Sequence, residues 1–404
     1  MSKPRQLWVI VHRWAGLTIA LFLIVAGSTG TLLAFNEELT DLTQPWRTVQ
    51  APAAGAKLLD PIALNRAAQN AAPAGYSVEG LRLHVEHNRA LSIGLSPPEG
   101  IGKPYLEASV DPYTARVVHL GEPGALSEGL DQIMPFIYSL HYKLAVDDYG
   151  TYAFGIAALI WTIDCFIGFY LTLPVARWRW WAHWAKSCQV KRPSPSNYRL
   201  NFDLHRSGGL WLWPMLLVFA WSSVGMNLRE VYDPVMKAFG AESPYTALPD
   251  RPAAPAFTPD WPTALAKGRT LVAQQGFDVL SENSVFFDVS KDAYSYNFRS
   301  SQDFTDKGGW SAVLFYPDGT LARTIIADGG LDDGGADNWF MALHMAQVGG
   351  LPYRIFVSAL GLLVTMLSVT GVVIWMKKRS ARIAGRRRLV KADQRFPDLA
   401  VVAE

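Results

Sequence analysis

Cysteine is nearly missing from this chain of 404 residues, which has two copies, Cys165 in an apolar run and Cys188 in a basic loop, and neither in a CxxC or CxxCH pattern. That spacing excludes a disulfide framework, a thiolate metal site and covalent c-type haem attachment. Charge is scarce as well. Only 18% of residues are charged and the net charge is +2, too small for nucleic acid, and the basic residues gather beside apolar runs instead of striping a face. The sequence also has no Walker loop, no HExxH zinc helix, no GxGxxG run and no convincing catalytic triad. In their place stand 15 tryptophans and a mean hydropathy of +0.10, a composition that lipid contact explains better than a soluble core.

Four stretches are long and apolar enough to cross a hydrocarbon core about 30 Å thick. They run from Leu7 to Phe35, Tyr152 to Leu173, Gly208 to Leu228 and Tyr353 to Met376, and Asp164 is the one charge standing well inside a span. The first apolar run exceeds the roughly 7–15 residues of a signal-peptide core, so an uncleaved anchor is expected. Lys3, Arg5 and Arg13 precede span one; Arg177, Arg179, Lys186, Lys191, Arg192, Arg199 and Arg206 fill the connection between spans two and three; Lys377, Lys378, Arg379 and Arg386 to Arg388 follow span four. These basic segments belong in the cytoplasm, with both termini, by the positive-inside rule. The two long connections mix signs and include acidic runs such as Asp332 and Asp333, so they belong outside. Trp178, Trp180, Trp181 and Trp184 read as interfacial anchors at the inner end of span two.

The second half of the chain echoes the first. Span one opens on His12-Arg13-Trp14-Ala15-Gly16-Leu17 and span three on His205-Arg206-Ser207-Gly208-Gly209-Leu210, while spans two and four each follow a Leu-His, at Leu140-His141 and Leu343-His344. From His141 to Gly168 is 27 positions, and so is His344 to Gly371. Each outer connection reads as one helix on an antiparallel sheet. In the first, a helix from Asp60 to Ala71 precedes strands near Ser77 to Val85, Ala90 to Leu95 and Tyr105 to Val110, then Val117-Val118; in the second, a helix from Trp261 to Gln274 precedes Ser284 to Val289, Tyr294 to Phe298, Ala312 to Tyr316 and Thr324 to Ile326. The expected division is helix 1–35, outer unit 36–140, helix 141–174, basic loop 175–204, helix 205–228, outer unit 229–340, helix 341–377 and tail 378–404.

Of eight histidines, the repeat singles out His12, His141, His205 and His344, one per span. An ionisable side chain at a membrane helix is costly and marks a functional site by default, and imidazole is a ligand for iron, zinc or copper. The alternative for each is an interfacial residue without a ligand. His12 and His205 open spans at one face and His141 and His344 precede spans at the other, so two sites are expected, paired His12/His205 and His141/His344, each with two axial imidazoles for haem iron. A helical run of 27 positions covers about 40 Å, which puts His141 and His344 at or just beyond the outer boundary. Gly16 and Gly209 fall four positions after their histidines, where a missing Cβ admits a flat macrocycle or a packed helix. Arg13 and Arg206 are candidates for haem propionates or plain membrane-flanking cations. His84, His87, His119 and His183 read as surface or interfacial residues, with His84 and His87 a weak candidate metal pair. Asp164 reads as a hydrogen-bonded interior group or part of a proton path.

On these residues the chain resembles the PepSY-associated transmembrane family, and within it the bacterial inner-membrane siderophore reductases. The resemblance rests on the two His-Arg runs, the two Leu-His pairs, and the outer turns Asp-Pro-Tyr-Thr-Ala-Arg-Val and Pro-Asp-Gly-Thr-Leu-Ala-Arg, the last two weak. It implies a membrane α-helical bundle of four transmembrane helices with two small periplasmic α+β, PepSY-like domains and an internal two-fold repeat. It also implies two b-type haems passing electrons outward to a ferric siderophore, whose iron is released once reduced. With no flavin or dinucleotide module in the sequence, the expected donor is a separate flavoprotein or a membrane quinol. The expected partners are that donor, the siderophore and membrane lipid, and no nucleic acid. Competing readings are a quinone-linked cytochrome b serving another periplasmic acceptor, a non-enzymatic PepSY sensor or binding protein, and a transporter, against which stand the four helices and the lack of paired helix breaks.

Overall fold

The computed structural model describes residues 3–98, 102–175, 178–193, 196–241, 248, 251, 259–330 and 335–395. Arg177, Asp332 and Asp333 lie outside the described residues, as does the side chain of Arg388. Long runs of Leu, Ile, Val and Ala have one stable form in lipid, a helix that satisfies its own backbone. Such runs build α1 (Lys3–Leu33), which is followed by the short α2 (Asn36–Thr43) and α3 (Pro61–Ala71). After the first sheet come α4 (Ile133–Lys143), α5 (Asp147–Thr172) and α6 (Trp180–Ala185), then α7 (Asn197–Trp211), α8 (Trp213–Asn227) and α9 (Arg229–Ala238). The chain closes with α10 (Trp261–Gln274), the second sheet, α11 (Gly335–His344) and α12 (Gly350–Arg395).

Three helices are long and apolar enough to cross a membrane, over Pro4–Leu33, Asp147–Thr172 and Gly350–Arg387, and a fourth crossing counts only if α7 and α8 are one span. The third run is thus not the single helix expected, because the chain bends by 73° at Leu212. Pro214 sits in the first turn of α8, where its missing N–H and fixed φ suit a helix start and oppose continuation from α7. A second correction concerns His141 and His344, which lie off the spanning helices. They lie in the last turns of α4 and α11, and the chain then turns through left-handed residues, Leu144 and Ala145 before α5, Ala346 before α12. The stretch from His141 to Gly168 is therefore not one helix.

Small residues let the long helices meet. A Cβ on Gly27 of α1 would lie 2.6 Å from the carbonyl oxygen of Gly361 on α12, and the reverse holds for Gly361. Around this crossing Thr31 Oγ1 donates to Ser358 O at 3.1 Å and Ser358 Oγ to Thr31 O at 3.0 Å, the hydrogen-bonded close approach typical of membrane helices.

The strands are β1 (Ser77–Val78), β2 (Gly80–Arg82), β3 (Leu91–Ser96), β4 (Leu106–Val110), β5 (Val117–Gly121), β6 (Val279–Asp288), β7 (Ala293–Ser300), β8 (Ser311–Phe315) and β9 (Leu321–Ile325). They form two antiparallel sheets, ordered β1-β3-β4-β5 and β2-β6-β7-β8-β9. Each is covered by one helix that begins on a side-chain cap and a first-turn proline, Asp60 with Pro61 for α3 and Asp260 with Pro262 for α10. Leu64 and Ala68 of α3 bury against Ile93, Leu95, Ala108 and Val110. Leu265 and Val272 of α10 bury against Val285, Tyr296, Phe298 and Phe315.

One strand run serves both sheets. Ser77 pairs with Ser96 in the first, and three residues on Gly80 pairs with Phe286 in the second. The expected boundary between outer units at 36–140 and 229–340 is therefore crossed by β2, whose Leu81 belongs to the core under α10. Both sheets sit at the end of the bundle where α1 and α8 finish and α5 and α12 begin.

Candidate functional site

The four repeat-related histidines come together in two pairs. His12 of α1 faces His205 of α7 with ring centroids 6.1 Å apart. His141 of α4 faces His344 of α11 at 6.3 Å.

Each ring is held by its Nδ1 atom. His12 Nδ1 lies 2.9 Å from Asp164 Oδ1 of α5, and His205 Nδ1 lies 2.9 Å from the carbonyl of Leu367 on α12. His141 Nδ1 lies 2.9 Å from Thr29 Oγ1, and His344 Nδ1 lies 2.7 Å from Ser222 Oγ. A carboxylate and a carbonyl only accept. The two hydroxyls direct their own hydrogens elsewhere, Thr29 to Val25 O at 2.6 Å and Ser222 to Phe219 O at 3.2 Å. In this arrangement all four rings carry hydrogen on Nδ1, which leaves the Nε2 lone pair as the atom that could bind a metal.

These partners keep a common register. Thr29 follows His12 by 17 positions and Ser222 follows His205 by 17; Asp164 and Leu367 each stand 23 positions after His141 and His344. Thr29 and His12 share the unbroken helix α1, so 17 positions separate the two pairs by about 25 Å along the axis. That is close to the thickness of a hydrocarbon core, with one pair near each end.

Three observations bear on whether a flat iron-carrying macrocycle fits. A metal–imidazole bond of about 2 Å on each side, plus about 1.1 Å from nitrogen to ring centre, puts two axial imidazole centroids about 6 Å apart. Both pairs match. Glycines make room: Cβ atoms on Gly16 and Gly209 would meet nothing within 4 Å, one turn along from His12 and His205. Other glycines abut the rings themselves, with Cε1 of His12 3.5 Å from a Cβ on Gly168, that of His205 3.3 Å from one on Gly371, and that of His141 3.0 Å from one on Gly30. Finally, Arg13 Nε is buried and has no hydrogen-bond partner among the described residues, as a cation awaiting an anionic group would be. The residues fit.

Arg206 stands differently from Arg13. Its guanidinium donates to the carbonyls of Lys186, Ser187 and Gln189 and pairs with Asp203 at 3.1 Å. It clips the 178–193 loop to α7. Phe219 stacks on the His344 ring with centroids 4.5 Å apart. Trp339 packs on Phe304 with ring centroids 4.4 Å apart, its Nε1 donating to Gly329 O.

The remaining histidines do not converge. His84 pairs with Glu86 at 3.3 Å, His87 meets the Tyr113 hydroxyl, His119 stacks on Trp46, and His183 Nδ1 sits over the carbonyls of Trp178 and Arg179. No group of three or more His, Cys, Asp or Glu placed to hold a metal ion occurs among the described residues. A cleft of about 470 Å³ between the sheets is lined by Arg47, Arg82, Arg89, Glu86, Tyr105 and Glu107. Two of its arginines are already paired, since Asp41 lies 3.4 Å from Arg47 and 3.2 Å from Arg89. Burial, reinforced by Glu79, pushes the Tyr105 hydroxyl up to about 12.

Sequence reasoning placed the four histidines but missed Thr29, Ser222 and Leu367, and left Asp164 without a partner. The hydroxyls carried a readable signal, the same offset from the two His-Arg runs. The Leu367 contact carried none, because any residue supplies a carbonyl.

A family model described as the PepSY-associated TM region matches residues 9–378. No curated protein matches the chain.

Proposed function

The chain belongs to the PepSY-associated TM region family, and on that premise we propose that it is a di-haem b electron-transfer protein of the bacterial inner membrane. In this reading α7 and α8 form one bent span, the two halves are a duplicated unit, both termini are cytoplasmic and the two sheets are periplasmic. The observation that carries it is the pair of histidine pairs, with centroids 6.1 and 6.3 Å apart and every Nδ1 tied back.

His12 and His205 hold one haem and His141 and His344 the other. Bound there, haem iron supplies one-electron chemistry at a potential the protein sets. The chain's own work is to hold the imidazoles. Thr29, Ser222, Asp164 and the Leu367 carbonyl fix the tautomers, while Gly16 and Gly209 leave the helix face open. Arg13 supplies a cation within reach of a propionate.

The acceptor is ferric iron in a siderophore at the periplasmic side, and the donor is a separate flavoprotein or quinol. One electron converts Fe(III) to Fe(II), and the lower charge density loosens the grip of hard oxygen ligands. No acid, base or nucleophile is needed for that step.

The test is an optical spectrum of the detergent-solubilised protein, oxidised and dithionite-reduced, with haem quantified as the pyridine complex. About two b-type haems per chain are expected, with about one lost in His12→Ala or His205→Ala and the other in His141→Ala or His344→Ala. Reduced protein should then be reoxidised by ferric siderophores. A colourless protein from haem-replete cells would end the redox reading, and haem without siderophore oxidation would move the acceptor elsewhere.

A further inference from the structure

The four rings are held by acceptors of unequal strength. At the His141/His344 pair both are neutral hydroxyls, Thr29 and Ser222. At the other pair, His205 uses the neutral carbonyl of Leu367 and His12 uses the carboxylate of Asp164. Asp164 is 8% exposed, the eighteenth residue of the 26-residue helix α5, and His12 is its one hydrogen-bond partner among the described residues. Such a carboxylate is costly in a membrane and calls for a use.

Orienting the imidazole is not that use. Leu367 stands 23 positions after His344 as Asp164 does after His141, and its backbone carbonyl holds His205 at the same 2.9 Å. A position that needs only an acceptor for Nδ1–H is thus served without a charge in one half of the chain. The charge itself must matter in the other.

Resting on the di-haem reading, we propose that Asp164 is a positioning residue that lowers the reduction potential of the His12/His205 centre below that of the His141/His344 centre. Electrons then run downhill from the side of the 178–193 loop toward the two sheets. Two effects act in the same direction. A carboxylate accepts more strongly than a hydroxyl, so it draws on the Nδ1 proton and makes Nε2 the more basic ligand, which favours ferric iron. The oxidised centre also carries one more positive charge than the reduced one, and a fixed negative charge in a low-dielectric span favours it. Among the described residues neither ring of the outer pair is hydrogen-bonded to a carboxylate, and the acidic residue of α11, Asp337, is neutralised by Arg229 at 3.3 Å and bonded by the Tyr232 hydroxyl at 3.0 Å.

The experiment is an equilibrium redox titration of purified holoprotein, followed optically, for the wild type, Asp164→Asn and Asp164→Glu. His141→Ala, which keeps only the inner centre, identifies its wave. The wild type should show two waves, with the inner one lower. Asn retains an oxygen that accepts from Nδ1, so Asp164→Asn should keep both haems, raise the inner midpoint, leave the outer one in place and narrow the gap. Asp164→Glu should restore the gap. Two bound haems with unmoved midpoints in Asp164→Asn would overturn the proposal, and so would loss of the inner haem in that variant, since orientation would then require the charge. A wild type without haem would instead overturn the underlying reading.

Discussion

Thr29 accepts the Nδ1 hydrogen of His141 at 2.9 Å while giving its own hydroxyl hydrogen to Val25 O in the preceding turn of the helix. It joins α1 to α4, which ends before the membrane-spanning α5 begins. Thr29→Val keeps the shape and removes the acceptor. A buried donor left unpaired costs about 1–3 kcal/mol, and loss of a metal-ligand histidine's supporting partner costs about 10–100-fold in affinity. The expected outcome is weaker retention of one haem of two, read by titrating haem into the stripped protein, with Thr29→Ser close to wild type.

Leu81 carries a different kind of coupling. It sits in the first outer segment of the chain, 2% exposed, yet pairs with Val285 and packs in the core beneath α10. Leu81→Ala should cost about 2–5 kcal/mol, as large-to-small changes in packed cores do. Hydrogen exchange locates the damage: protection should fall along β6 and β7, while β3 and β4 keep theirs. Loss confined to the first sheet would mean that β2 is not part of the second.

Glu38 in the first turn of α2 takes a forked pair of hydrogen bonds from Arg354 of α12, at 2.7 and 2.6 Å. That guanidinium holds the carboxyl well below its ordinary 4.5, at about 2. A depressed folded value gives stability that is fully present above the unfolded value of 4.5 and disappears as pH falls toward 2. Half of the Glu38 side chain is exposed, 52%, so the contribution is about 1 kcal/mol or less. Melting temperatures of wild type and Glu38→Gln should differ at pH 6 and converge near pH 2.

Much of this architecture was legible because it repeats. The His-Arg runs and the Leu-His pairs located four rings that the structure brings together two by two, and the helix expected from Trp261 to Gln274 is α10 to the residue. Hydropathy could not register the bend at Leu212, since a broken apolar run scores like a straight one, although Pro214 stood two residues on. The expected helices 141–174 and 341–377 also ran across the turns that part α4 from α5 and α11 from α12. The first of these turns lacks the glycine–proline punctuation that marks a break, with Leu144 and Ala145 in the left-handed region, whereas the second carries it in Gly349, Gly350 and Pro352. Nor does a period-two pattern name its partner strand, so β2 read as part of the first sheet when it belongs to the second.

Arg13 and Arg206 occupy the same place in the two His-Arg runs but differ in what surrounds them, and their substitutions should separate. Arg206 is committed to three loop carbonyls and to Asp203. Arg206→Gln should therefore leave haem content unchanged and free the 178–193 loop, read as faster tryptic cleavage near Lys186 and Lys191. Arg13 has a buried Nε without a hydrogen-bond partner among the described residues, so its neutralisation releases no loop and removes a cation beside His12. Arg13→Gln should weaken binding of the inner haem by about tenfold, the loss of one charge-assisted hydrogen bond of roughly 1.5 kcal/mol, with tryptic cleavage of the loop unchanged. If both variants kept their haem equally well, the propionates would be held elsewhere, and the unpartnered Nε of Arg13 would count only as a membrane-flanking charge.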